Sequence, residues 1–362
     1  MRTSMCLRDS LLVVAASLGV IGLVGCESGE TRTERPTSDF GAAQPPGESD
    51  QATASDATGD RDRAVERIRE LQGRFVPVIG TRAPSIYLSG TQVQEGDLVL
   101  LASFPKLETL SLGKTSLSGA GLTHLSDVSE LRSLLLFDAP INDAAIEHLR
   151  GLPIKRLDLS RTEVTDRCMN DVATLLQLSD LKLSGTQVSD AGIARLAEST
   201  SLTSLSLKGT AVTDACCATL AALPNLKQLY LADTAITDAG AMQLADAPSL
   251  TVLYLCRTRV SDRSCAALAG LPGKVFNLNL SGTQVTDAGI LDLASASESL
   301  CVLDVSNTAV SAAAVPAMLQ LASLSKLDAM ESSVSDEALQ RLLDDHPAIR
   351  QVNSPNEIDL ER

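Results

Sequence analysis

Seven aspartates, Asp143, Asp166, Asp190, Asp214, Asp238, Asp262 and Asp287, recur at steps of 23 to 25 residues. A column of carboxylates with that spacing has the oxygen donors that calcium takes. Six of the seven follow a Ser or Thr, as in Thr237-Asp238, and that pair is also a helix start. One member caps free N–H groups, and the negative charge sits at the positive end of the helix dipole. Carboxylates about 5 Å apart repel by roughly 0.8 kcal/mol in water, while a cap contributes about 1 kcal/mol. The column is therefore expected to start helices, with no metal bound.

Two further sets invite chemistry. His124 and His148 occupy equivalent positions one period apart, with Asp171 next in line, a donor set suited to zinc. They adjoin Leu125 and Leu149 on what must be the outer side of helices, so they are expected to face solvent. Beyond Cys26 lie Cys168, Cys216, Cys217, Cys256, Cys265 and Cys301, an even count that invites disulfides in an exported chain. Cys168 and Cys216 stand at the same position two periods apart, as do Cys217 and Cys265. Repeats stacked about 4.8 Å apart would separate such pairs by roughly 10 Å, beyond disulfide reach. They are expected to be structural thiols, Cys217 and Cys265 replacing core aliphatic residues. No nucleophile elbow, phosphate-binding loop or paired-cysteine motif occurs. No catalytic residue, cofactor or small-molecule substrate is expected, and the chain does not read as an enzyme.

What positions all of these is a repeat. With the Thr of each Gly-Thr-like pair as reference, the units are marked by Thr91, Thr115, Ala139, Thr162, Thr186, Thr210, Thr234, Thr258, Thr283, Thr308 and Ser332. Apolar residues stand eight, five and three places before every reference, and Val, Ile or Leu two places after it. Leu229 and Leu231 alternate as the inward residues of a short strand, and apolar residues three apart, such as Ile193 and Leu196, form the inner face of a short helix. The reference hydroxyl is placed to satisfy backbone groups where the chain leaves the strand. Apolar residues make up 44% of the chain but aromatics only 2%, with no Trp, which suits many small equivalent pockets better than one large core. A single unit leaves an apolar edge exposed, and stacked units share one core.

The unit LKQLYLADTAITDAGAMQLADAPS, residues 226–249, resembles a leucine-rich repeat of the ribonuclease-inhibitor-like class. It is most similar to the 24-residue bacterial variety with a G-A-x-x-L-A helix, and also to the cysteine-containing subtype, although Thr stands here where that subtype has Cys. The resemblance covers about residues 83–352. It implies an α/β solenoid of about eleven repeats, a curved horseshoe with a parallel sheet on the concave face and short helices on the convex face. Some bacterial relatives carry an F-box, and the segment from Arg61 to Gly73 is far too short for one.

The start of the chain carries an address. Arg2 and Arg8 precede an uncharged, mostly apolar run from Leu11 to Val24, short for a transmembrane helix and fitting for a signal peptide. Leu23-Val24-Gly25-Cys26 resembles the bacterial lipobox, which implies cleavage before Cys26, lipidation of its thiol and anchoring on a bacterial membrane, the outer one favoured by Glu27. The expected organisation is a signal peptide at 1–25, a disordered Ser/Thr/Gly/Pro-rich tether at 26–60, an N-terminal cap at 61–82 with a helix and a strand near Val76 to Ile79, repeats at 83–347, and a C-terminal cap and tail at 348–362. The formal charge is −15, and loss of Arg2, Arg8 and Asp9 with the signal peptide takes it to −16, which argues against nucleic acid as a partner.

Residues six, four and two places before each reference face outward from the sheet. All three tyrosines, Tyr87, Tyr230 and Tyr254, fall in the middle column, with Gln228, Val252 and Cys256 around the latter two. Leu135 and Phe137 make a second apolar spot, and Asn277, Asn279 and Asp304 a polar cluster. Between the spots Arg156 should face Asp180, and Asp158 should face Lys182, in weak surface pairs. The expectation is a monomeric, membrane-tethered, non-enzymatic scaffold that recognises a protein through this face. The alternative is a structural or carbohydrate-binding envelope component, to which the Asn277, Asn279 and Asp304 cluster would be suited.

Overall fold

The computed structural model describes residues 48–78, 80, 83–272, 275–353 and 359–361, with backbone alone at 48–58 and 359–361. The signal segment and Cys26 lie outside the described residues. The chain divides into two compact units, 1–56 and 57–362. In the first, the described part is the beginning of α1 (Glu48–Glu70), a helix that starts within the stretch expected to be a tether.

The second unit is built on one continuous sheet of fourteen strands in chain order. β1 (Arg74–Val76) pairs antiparallel with β2 (Ser85–Tyr87), so the cap strand ends at Val76, where the expected strand begins. Parallel strands follow as β3 (Thr109–Ser111), β4 (Ser133–Leu135), β5 (Arg156–Asp158), β6 (Asp180–Lys182), β7 (Ser204–Ser206) and β8 (Gln228–Tyr230). They continue as β9 (Val252–Tyr254), β10 (Asn277–Asn279), β11 (Val302–Asp304), β12 (Lys326–Asp328) and β13 (Gln351–Asn353). β14 (Asp359–Glu361) closes the array antiparallel. The register is strict: each central residue pairs with the next unit's, as Leu229 does with Leu253.

The apolar lattice lies inside. The central strand residue and the residue two beyond it are at most 2% exposed in every unit, from Ile86 and Leu88 to Leu327 and Ala329. Val93, Leu117 and their equivalents, and the helix residues such as Ile193 and Leu196, complete one continuous core. Burying one Leu contributes about 1.5–3 kcal/mol, while ordering one residue's backbone costs about 1–2 kcal/mol. A unit with six such side chains among two dozen residues cannot stabilise itself without neighbours on both sides.

Two local devices turn the chain off each strand. The reference hydroxyl donates to the carbonyl three residues back, as Thr234 Oγ1 does to Leu231 at 2.6 Å and Thr210 to Leu207 at 2.7 Å. The preceding residue is left-handed in every unit, whether glycine (Gly209, φ 65°) or not (Arg161, φ 55°; Glu331, φ 52°). The convex side then differs along the array. The first two repeats carry 3-10 helices, Glu95–Ser103 and Ala120–Asp127, and later repeats carry α-helices such as Asp262–Ala269 and Asp287–Ala296. Helices are wider than the spacing of strands, so the sheet lies on the inner, concave side.

Both ends are covered. Ile68 and Ala64 of α1 join the core at the first repeat, and Phe75 meets Phe104 with ring centroids 5.0 Å apart beneath the Arg61 guanidinium. At the far end the helix Asp336–Asp345 buries Leu339, Leu342 and Leu343. His346, 2% exposed, sets Nε2 3.0 Å from the Leu321 carbonyl and accepts the Ala348 N–H at Nδ1.

Candidate functional site

The residues with chemical potential sort onto two surfaces. On the edge where strands pass to helices, the aspartate column does more than start helices. In each of seven units the Ser, Thr or Asn is the N-cap, as Thr237 accepts the Ala239 N–H at 3.2 Å. The aspartate instead reaches into the next unit. Asp143, Asp166, Asp190, Asp214, Asp238, Asp262 and Asp287 each accept the next cap residue's N–H at 2.7–2.8 Å and its hydroxyl at 2.5–2.7 Å. Glu95 does the same for Ser118, Gly119 and Gly121 in the second unit. Burial would push the Asp238 carboxyl up, but the donors on Ser261, with Ser264 beside them, outweigh it and hold the group below its ordinary range. The column is a ladder that ties unit to unit.

The ladder also explains the cysteines. Two residues after each aspartate from Asp166 on, one repeat on from the carboxylate it meets, stands a small side chain: Cys168, Gly192, Cys216, Gly240, Ser264, Gly289. A Cβ at Gly240 would meet Asp214 Oδ1 and come 2.9 Å from Cys217 Sγ. Cys168 and Cys216 fill the same slot, with Sγ 3.3 and 3.2 Å from the carbonyls of Thr165 and Thr213. Burial, and then the Asp143 carboxylate, push the Cys168 thiol up to about 12. Cys216 is pushed up first by its hydrogen bond to Cys217 and then by burial, and Cys265 reaches about 12 mainly through burial. The six described cysteines are reduced and buried.

The histidine set does not assemble. His148 is exposed, and Asp171 accepts Arg150 Nε at 2.7 Å. Among the described residues no group of three His, Cys, Asp or Glu side chains is arranged to hold a metal ion.

On the concave sheet the three tyrosines share a column but not a place. Tyr230 and Tyr254 are in register on adjacent strands, their rings edge to face at 5.0 Å and 68°. The Tyr230 hydroxyl donates to Gln228 at 3.4 Å. Burial, then Tyr254 and Asp180, raise the Tyr230 hydroxyl above its ordinary value. Tyr87 lies six strands away, with the Arg74 guanidinium 4.6 Å from its ring centre. Val252, expected on the contact surface, is 4% exposed, and Cys256 is buried as well. In register between Gln228 and Asn277, a short β-branched side chain is overtopped by two longer ones. Val252 is packing, not contact.

The polar cluster is largely spent on itself. Asn279 donates to Asp304 at 2.7 Å and accepts from Ser281, and Asn277 reaches the Tyr254 hydroxyl at 3.4 Å. Asp304 also accepts the Ser306 N–H. One strand on, burial and then the neighbouring Asp304, opposed by Lys326, raise the Asp328 carboxyl above its ordinary value. The surface pairs stand as expected, Arg156 to Asp180 at 3.1 Å and Lys182 to Asp158 at 3.7 Å.

Leu135 and Phe137 are half-buried at the other end of the face. Phe137 lies where any side chain at Gly113 would collide with its ring, 2.6 Å from the position of a Cβ. Just past β4 to β7 the row reads Phe137, Ser160, Ser184, Lys208. Two large side chains flank two small ones, and between them is an open trough of about 440 Å³, walled also by Arg161 and Lys182. Sequence reasoning had singled out Phe137 but not the trough, although the large-small-small-large order is visible at the unit spacing.

Comparison with known proteins bears on the fold. The leucine-rich-repeat family description matches residues 222–245, one unit of the array. The crystal structure of an internalin from Listeria monocytogenes is similar over 75% of this chain and 86% of its own, with a TM-score of 0.52 and 20% sequence identity. A search of curated proteins gives no match. The architecture is that of a leucine-rich-repeat solenoid.

Proposed function

We propose that this chain is a monomeric, non-enzymatic recognition scaffold, exported and held on a bacterial membrane through lipid on Cys26, which binds a protein partner on its concave sheet. The reading rests on the Tyr230–Tyr254 pair. Two half-exposed rings, locked edge to face on neighbouring strands, form a rigid amphipathic anchor that loses little entropy on binding. Solenoids use such extended inner surfaces for contact. The leucine-rich-repeat architecture, which hosts many unrelated binding tasks, is compatible with this role and names no partner.

The test is capture of binding proteins from envelope extracts by the chain from Glu27 onward, comparing wild type with Tyr230→Ala/Tyr254→Ala. Loss of a specific captured protein in the variant, with an unchanged unfolding midpoint, supports the reading. Equal capture by both removes the tyrosine pair as the anchor. The anchor itself is read by fractionation: Cys26→Ser should leave the membrane pellet, and retention there would end the lipid assignment.

A further inference from the structure

We infer that the trough between Phe137 and Lys208 takes carboxylate side chains of the same protein partner, which therefore presents acidic residues at a fixed distance from the group that meets Tyr230 and Tyr254. The inference rests on the concave face being the interface.

Charge is the first argument. In a chain with 45 acidic and 30 basic residues, the side chains that line the trough are mostly basic, Arg161, Lys182 and Lys208 against Asp158, while the carboxylates of Asp138 and Asp233 stand beside Arg161 and Lys208 outside the lining. The second argument is availability. Arg161 is committed, its Nε and Nη2 both donating to Asp138, and forms a fixed wall. The two lysines are not so held: Lys182 Nζ is 3.7 Å from Asp158 and Lys208 Nζ 3.9 Å from Asp233, beyond hydrogen-bonding distance. Their side chains are 46% and 55% exposed. An incoming carboxylate meets two ammonium groups held only by ion pairs longer than a hydrogen bond, with the Ser160 and Ser184 side chains between Phe137 and Lys208. The chain's overall negative charge does not prevent this, because fields are screened beyond about 8–10 Å at physiological salt.

Geometry then sets a ruler. The middle of the trough lies between β5 and β6 and the tyrosine pair on β8 and β9, three strand spacings or about 14 Å apart. An extended peptide crossing the strands at about 3.3 Å per residue spans that gap with roughly four residues.

The experiment uses the chain from Glu27 onward and fluorescein-labelled peptides in which a Phe-Leu pair is separated by about four Gly/Ser residues from three glutamates, in both orders, with glutamine versions as controls. Fluorescence polarisation at low salt should show the glutamate peptide binding about tenfold tighter than its glutamine version, with the advantage fading as salt rises. Lys182→Gln/Lys208→Gln should erase that advantage, and Lys155→Gln/Lys227→Gln, the same charge change outside the trough, should keep it. Equal affinity of the glutamate and glutamine peptides, or equal loss in both lysine variants, overturns the inference. Preference for polygalacturonate over the glutamate peptide overturns the peptide assignment. If Tyr230→Ala/Tyr254→Ala leaves both affinities untouched while the glutamate advantage persists, the tyrosine reading fails and the trough stands.

Discussion

Asp214 accepts both the backbone N–H of Thr237, at 2.8 Å, and its hydroxyl, at 2.5 Å, although the two residues are 23 positions apart. The same hydroxyl oxygen accepts the Ala239 N–H, so one threonine closes its own helix and fastens it to the preceding unit. The donors compensate the mutual repulsion of a file of carboxylates, and the file needs no cation.

The ladder predicts a specific cost. Asp214→Ala removes two charge-assisted hydrogen bonds and leaves the Thr237 N–H without its acceptor, so it should lower stability by about 2–3 kcal/mol. Asp246→Ala, an exposed carboxylate outside the ladder, should stay within about 0.5 kcal/mol. Urea unfolding midpoints measure both, and a double-mutant cycle with Thr237→Ala should show strong coupling. A cost for Asp214→Ala no larger than the control's would reduce the ladder to ornament.

The repeat lattice was open to sequence reasoning because its signal lies along the chain: Leu229 and Leu231 alternate, and the pattern returns two dozen residues later. The ladder was half legible. Thr237-Asp238 reads locally as a cap, and that reading holds for Thr237, but the Asp238 carboxylate serves Ser261, which is distant in sequence and adjacent in space. The signal that could have exposed it is the file of small residues Cys168, Gly192, Cys216, Gly240, Ser264 and Gly289, which leaves room for carboxylates from the unit before. On the sheet face, alternation placed Tyr230 and Tyr254 correctly and misjudged Val252, because exposure there depends on the lengths of in-register neighbours as well as on which way a side chain points.

The thiols should be silent in the folded chain. Cys168 and Cys265, pushed up to about 12, hold almost no thiolate at pH 8, and both are buried. Brief iodoacetamide labelling read by peptide mass spectrometry should leave Cys168, Cys216, Cys217 and Cys265 unmodified. Cys256, at 8% exposure on the sheet face, should label first. All six should react in urea. Early labelling of Cys168 or Cys216 would mean that the units separate readily.

Asp328 and Asp238 should respond to acid in opposite ways. The Asp328 carboxyl is raised by burial and by Asp304, so its ionisation costs stability near neutral pH and the cost disappears as pH falls below the ordinary aspartate value. Asp328→Asn should therefore raise the unfolding temperature at pH 7 and lose that advantage in acid. The Asp238 carboxyl is held low by Ser261 in spite of burial, so its contribution is complete above the ordinary value near 3.9 and is lost as pH falls through the lower folded one. Asp238→Asn should be destabilising at pH 7 and progressively less so below pH 4. Parallel pH profiles for the two variants would contradict both assignments.

The turn that leaves each strand offers a test of backbone strain free of packing. Gly209 has φ 65°, and a Cβ there would meet nothing within 4 Å. Gly209→Ala consequently changes conformation alone: the penalty of about 1–2 kcal/mol for an L-residue in the left-handed region, less about 0.5–1 kcal/mol regained from the unfolded state, leaves a net cost of roughly 0.5–1 kcal/mol. Glu331 occupies the same turn at φ 52° and bears that penalty already. Glu331→Gly removes it at an unfolded-state cost of about 0.5–1 kcal/mol, which leaves a net gain of roughly 0.5–1 kcal/mol. Asn307, also left-handed at φ 52°, belongs to a residue type that tolerates the region, so Asn307→Gly should change little. Unfolding midpoints in urea, with unchanged slopes, should place Gly209→Ala below wild type, Asn307→Gly near it and Glu331→Gly above it. A neutral Gly209→Ala would show that the turn relaxes when it is given a side chain.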